Sequence, residues 1–195
     1  MIAASESNTV ESCESASELL AEPALTRVVL VRYGRVPQVA RFGCGDEFCG
    51  LQRADEVVVS TERGEECGSV LHVAVRNVGQ VEEDQGLTGR VLRLAGGEDL
   101  ERLRVQQAEC DAAYGEWLSR AAQWNLQLQL IDLERTLDGK LILYVLNDRG
   151  AETTRLALLA AAAGHGIVHV QPVAAEGIVP EKRGGGCGDC GCSTH

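Results

Sequence analysis

One long amphipathic stripe constrains this chain more than any other feature. Between residues 98 and 124, Leu100, Leu103, Gln107, Cys110, Tyr114, Trp117, Ala121 and Trp124 recur at three- and four-residue steps. That spacing gathers side chains on one face of an α-helix. At 1.5 Å per residue the helix runs roughly 40 Å, long enough to overhang a small sheet and offer a surface to a partner. Cys110 lies on the stripe and reads as a core cysteine. The stripe also divides the chain, because the residues on either side follow a different period.

Ahead of it come short β-like runs at residues 26–34, 36–43 and 55–76. Val57, Val58 and Val59 lead into a Glu-Arg-Gly turn and a second Val-rich run, which predicts a hairpin with Gly64 free to take positive φ. Aromatics are only 4% of the chain, so its core must be built mainly from Leu, Val and Ala. Several short strands with few helical signals predict a β-rich subdomain over residues 25–88, a meander or small barrel. A polar, Gly-bearing stretch at 77–89 reads as a linker, and GRVLRLA at 89–95 as one strand.

Beyond the helix, Leu126, Leu128 and Leu130 alternate with Gln127 and Gln129, the period of a half-buried strand. The phase slips at Leu130–Ile131, which predicts a bulge or a passage of burial to the other face. Asp132 and Glu134 then share one side, as an acid/base pair or, the better reading without a nucleophile beside them, a solvated face. Asp138–Gly139 predicts a type I′ hairpin, and LILYVL at 141–146 a central strand. A helix at 152–164 and a strand at 165–173 complete the order. Counted from Gly89, this is the βαββαβ order of a ferredoxin-like unit over residues 89–174 with a long first helix. The fold class is α+β. His165 and His169 straddle a change of element, so they read as structural.

Residues 1–24 are rich in Ser, Glu and Ala, and predict disorder. Residues 175–195 form a Gly/Cys-rich tail in which Cys187, Cys190, Cys192 and His195 are spaced C-x2-C-x-C-x2-H. Thiolates and imidazole are the donors that Zn2+ and iron–sulfur clusters prefer, so these four are the candidate metal ligands. Cys44 and Cys49, C-x4-C in a Gly-flanked loop, are candidates to complete the site, although two cysteines alone bind weakly and a loop that happens to carry thiols is the better reading. The net charge of −11 argues against direct nucleic-acid binding. No apolar run approaches a membrane span. The acidic N-terminus lacks a signal-peptide pattern, so a cytoplasmic location with reduced thiols is expected.

Two stretches carry a family resemblance. VVVSTERGEECGSVL at 57–71 resembles the "V-V-E-T-x-R-G-x-E-x-G-x-V" signature of the polymerase-suppressor C-terminal domain family, in its RicT-like (YaaT-like) branch. IDLERTLDGKLILYVL at 131–146 is similar to its "V-D-x-E-x-x-F-D-x-x-K-x-x-F-Y-F" segment. The matching positions are Thr61, Glu62, Arg63 and Gly64 in the first, and Asp138, Gly139 and Lys140 in the second. Here Leu and Val replace the motif's phenylalanines, and the tail cysteines are spaced differently from the family's closing C-G-R-x-L-C-C. The resemblance implies a non-enzymatic regulatory subunit that joins protein partners in a complex bearing iron–sulfur clusters and acting in mRNA maturation.

The reading that follows is a cytoplasmic adaptor that binds an iron–sulfur cluster or Zn2+ through its C-terminal cysteines and docks on protein partners. The alternative is a metal-trafficking protein with a flexible Cys-rich tail. An enzyme with Cys67 as nucleophile ranks below both, because neighbouring carboxylates raise a thiol pKa. Thr61, Glu62, Arg63 and Gly64 show no catalytic chemistry, and Arg63 and Glu62 read equally well as a turn salt bridge at a hairpin tip.

Overall fold

A computed structural model describes residues 27–75, 86–146, 150–175 and 177–179. The predicted disorder at 1–24, most of the linker and the tail ligands Cys187, Cys190, Cys192 and His195 lie outside these residues.

Strands β1 (Arg27–Tyr33), β2 (Gln38–Cys44), β3 (Glu56–Thr61), β4 (Gly64–Val75) and β5 (Leu87–Leu94) close a barrel in the order β1-β2-β5-β3-β4. Alternation sends Val29, Val31 and Tyr33 of β1, and Val57 and Val59 of β3, into its interior beside Phe42, Val70 and Val91. Tyr33 meets Phe42 edge-to-face at 5.4 Å between ring centroids, the favoured arrangement for aromatic quadrupoles. A closed barrel leaves no strand edge to aggregate, and Val-rich strands fill most of its narrow interior around this one aromatic pair.

The strand at 87–94 corrects the expected ferredoxin-like order. β5 pairs parallel with β2 and antiparallel with β3, so it is a barrel strand. Among the described residues the βαββαβ unit is not completed, and the division after residue 88 falls inside a barrel strand. Two features explain this. Only Val91 of β5 is buried, whereas a central strand under two helices buries every second residue along its length. Gly89 also lies so close to β3 that a Cβ there would come within 1.8 Å of the Ser60 carbonyl oxygen.

Helix α1 (Gly97–Gln123) follows with Glu98 and Asp99 in its first turn, where acids complement the helix dipole. The Gly96 N–H donates to Asp99 Oδ2 at 3.0 Å. Asn125, at φ 50°, ends the helix in the left-handed conformation. Strands β6 (Gln129–Arg135), β7 (Leu141–Leu146), β8 (Val168–Ala174) and β9 (Gly177–Ile178) form a second sheet in that order. Helix α2 (Ala151–Ala160) links the parallel pair β7 and β8, and a π-type turn follows at Ala161–His165.

One face of this sheet packs Leu130, Leu133, Leu143, Val145 and Val168 against Cys110 and Trp117 of α1 and Leu156 and Ala160 of α2. The predicted stripe is partly displaced: Gln106 is buried where Gln107 was expected, and Leu100 is exposed. The predicted bulge is present between Leu130 and Asp132. The hairpin at Asp138 is also present, but not as a type I′ turn. Gly139 N–H donates to the Thr136 carbonyl, and positive φ is confined to Gly139, whereas type I′ needs it at both central residues.

Candidate functional site

The face of the second sheet turned away from the helices carries Glu134, Ile142 and Tyr144. All three are buried, Ile142 and Tyr144 completely. A solvated face had been expected around Asp132 and Glu134; the β3–β4 hairpin of the barrel docks on this side instead. The contact is fastened at the turn. Leu137 N–H donates to the Glu65 carbonyl at 2.8 Å, and Glu65 N–H to Asp138 Oδ1 at 3.2 Å. Gly64 sits at φ 140°, and a Cβ there would come within 2.4 Å of Asp138 Oδ1. Thus Gly64 of one signature segment and Asp138 of the other meet in space across a gap no other residue would leave.

Arg63 is the centre of the joint. It was expected to pair with Glu62 in solvent, but Glu62 is exposed while Arg63 is 4% exposed. Its guanidinium grips Glu66 through both Nε, at 3.1 Å to Oε1, and Nη2, to Oε2. Nη1 donates to the Tyr144 hydroxyl at 2.9 Å, and that hydroxyl donates to Glu134 Oε2. With its amide oxygen facing Arg63, Gln38 accepts from Nη1 and Nη2 at 3.2 and 3.1 Å. All five guanidinium N–H groups are thereby used. The ring of Tyr33 lies against the guanidinium at 5.6 Å.

Neighbours lock each member. Thr61 Oγ1 donates to Glu66 Oε1 at 2.6 Å and accepts from Arg63 N–H at 3.1 Å. Arg35, in the β1–β2 turn, donates its backbone N–H to Glu134 Oε1 at 2.9 Å. Its side chain pairs with Asp132 of β6 and Asp111 of α1. One turn of the barrel is therefore tied to both the sheet and the long helix.

Burial sets the protonation of this cluster. It pushes the Tyr144 hydroxyl upward, with the Glu134 charge adding to the effect, so the phenol stays a neutral relay between Arg63 and Glu134. Burial also pushes the Glu66 carboxyl up, and Arg63 and Thr61 offset only part of that. Tyr33 is pushed up to about 12 by burial and by Glu66. Cys67, on the next residue of β4, is pushed up to about 11 by burial and by Asp99 and Glu56. A thiol in that state is a poor nucleophile at neutral pH.

The remaining sequence candidates are scattered. Cys44 is fully buried in the barrel core, while Cys49 is exposed after a 3-10 turn (Asp46–Phe48). Cys44 is thus a core residue and cannot join an external metal site without opening the barrel. Among the described residues, no three His, Cys, Asp or Glu side chains are placed to hold a metal ion. Lys140 pairs with Asp138 at 3.0 Å on the surface. His165 packs on the Trp117 ring at 4.7 Å between centroids. The two quoted motifs place a glutamate at Glu66 and a tyrosine at Tyr144, yet neither stood out as a site residue, because each lies in a run that gives no local sign of what it meets.

No family model, curated protein or solved structure matches the chain. Among the described residues, no helix is long and apolar enough to cross a membrane.

Proposed function

We propose that this protein is a non-enzymatic, cytoplasmic regulatory adaptor of the RicT-like kind. Its barrel and second sheet form one body that docks on protein partners, with a role in mRNA processing. Cys187, Cys190, Cys192 and His195 hold an iron–sulfur cluster or Zn2+. On this reading the second sheet is a ferredoxin-like unit whose first strand has been ceded to the barrel.

The observation that carries the reading is where the two signature segments go. Thr61, Arg63 and Gly64 from one, and Asp138 from the other, are consumed in joining barrel to sheet, with their polar groups turned on each other. A signature explained by architecture fits a shared body plan better than a shared reaction. The described part offers no substitute for the tail as a metal site, and three thiols with one imidazole suit either Zn2+ or a cluster chemically. Exposed Leu100, Val105 and Leu118 on α1 supply apolar surface for a partner.

Anaerobic purification with metal analysis, visible spectroscopy and identification of co-purifying proteins tests this. Cluster absorption bands or one zinc per chain are expected, both lost in Cys187→Ser without a change in circular dichroism. A metal-free protein with freely alkylated tail cysteines removes the metal part. Absence of any stoichiometric protein partner removes the adaptor part.

A further inference from the structure

Between the barrel, α1 and the end of β6 lies an open cleft of about 290 Å3, near the small end of ligand-site volumes. Glu66 and Glu134 border it from the joint, Leu103 and Gln107 from α1, and Arg32 and Arg135 from β1 and β6. Glu56 lines it as well, from the start of β3. Glu66 and Glu134 already hold donors: Thr61 and Arg63 on one, Tyr144 and the Arg35 N–H on the other. The arginines are in the opposite condition. Arg35, which also lines the cleft, is engaged by Asp111 and Asp132. Neither Arg32 nor Arg135 forms an ion pair with a carboxylate among the described residues. Arg135 gives Nη1 to the Gly139 carbonyl at 2.8 Å, and its Nε is buried with no hydrogen-bond partner.

Acids outnumber bases in this chain, with a net charge of −11. Two guanidiniums without a carboxylate on one cleft are therefore not explained by a shortage of acids. A buried N–H left without a partner is costly, and it leaves the guanidinium of Arg135 with a single carbonyl to offset its charge. Guanidinium forks match planar and tetrahedral oxyanions.

We propose that this cleft binds a small molecule bearing an oxyanion, a carboxylate or a phosphate monoester, held by Arg32 and Arg135. Such a ligand bridges a barrel strand and a strand of the second sheet, so its binding energy adds to the joint between them. The proposal does not depend on the metal-binding tail and survives its failure.

Calorimetric titration of the full chain at low ionic strength, with inorganic phosphate and succinate as separate probes against matched chloride, tests it. At least one probe is expected to bind saturably at one site. Arg32→Gln should weaken that probe roughly tenfold or more, and Arg135→Gln likewise. Arg104→Gln, on the exposed face of α1, should leave it unchanged. Should Arg135→Gln fail to fold, Arg32→Gln decides alone, since Arg32 is exposed and outside both cores. Preference for phosphate assigns a phosphate monoester, and preference for succinate a carboxylate. Absence of binding by both probes at millimolar concentration, or unchanged affinity in Arg32→Gln, overturns the proposal.

Discussion

Arg63 and Arg104 each pair with a glutamate three positions away, and their surroundings differ in almost every respect. Arg63 and Glu66 have side chains 3% and 2% exposed, whereas Arg104 and Glu101 on α1 are 72% and 58% exposed. The exposed pair exchanges water for a contact that solvent screens, and the long side chains lose freedom in making it. The buried pair has given up hydration entirely, so it is tolerable only because Tyr144, Gln38 and Thr61 complete its hydrogen bonds. The lesson concerns what each pair is for. A buried ion pair of this kind adds little net stability over an apolar contact, but it penalises any docking of the hairpin that leaves a charge unmatched.

Breaking the buried pair should therefore have the largest effect. Arg63→Met leaves Glu66 buried without its counter-charge and is expected to cost about 3–5 kcal/mol, read as a fall in the urea midpoint. A loss below 1 kcal/mol would mean that water reaches the joint and that the contrast between the pairs is false.

Gly64→Ala tests the geometry without touching charge. The new methyl group meets Asp138 and forces a disfavoured φ, an expected cost of roughly 1–3 kcal/mol, checked by thermal melting. Tyr144→Phe should cost about 1–3 kcal/mol, because it strands an Arg63 N–H and removes the donor to Glu134. Coupling between Tyr144→Phe and Arg63→Met in a double-mutant cycle separates a network from two independent contacts.

Acid provides a milder probe. Burial alone would raise the Asp138 carboxyl, but hydrogen bonds from Thr136, Lys140 and the Glu65 N–H more than offset it and hold its pKa below the usual 3.8. A depressed folded value means its contribution is complete above the unfolded pKa and is lost as pH falls through the folded one. Below about pH 4, Asp138→Asn should accordingly lose less stability than the parent on further acidification. Smallest of all is Arg104→Ala, for which an unchanged melting temperature is expected. A clear drop there would show that α1 relies on its outer face for more than solvation.

Much of the local structure was legible in the chain. The bulge at Leu130–Ile131, the turn at Gly64 and the long helix after Glu98 each follow from backbone preferences or a hydrophobic period that acts over a few residues. The candidate site was legible only as a set of positions. Thr61, Arg63, Gly64 and Asp138 could be named, but Arg63 looked like an exposed hairpin tip because no local signal records what will cover it. Cys44 looked like a ligand for the same reason.

What the sequence determined by itself, then, is the type and order of elements, since side-chain alternation and glycine freedom are properties of neighbouring residues. Which sheet received the strand at 87–94 was decided by tertiary structure. That choice depended on the space Gly89 leaves beside Ser60 and on a strand with a single buried residue, Val91, finding a barrel to close. The pairing of Arg63 with Tyr144, 81 residues apart, was decided in the same way. Long-range burial selects such partners only once two surfaces have excluded the water between them.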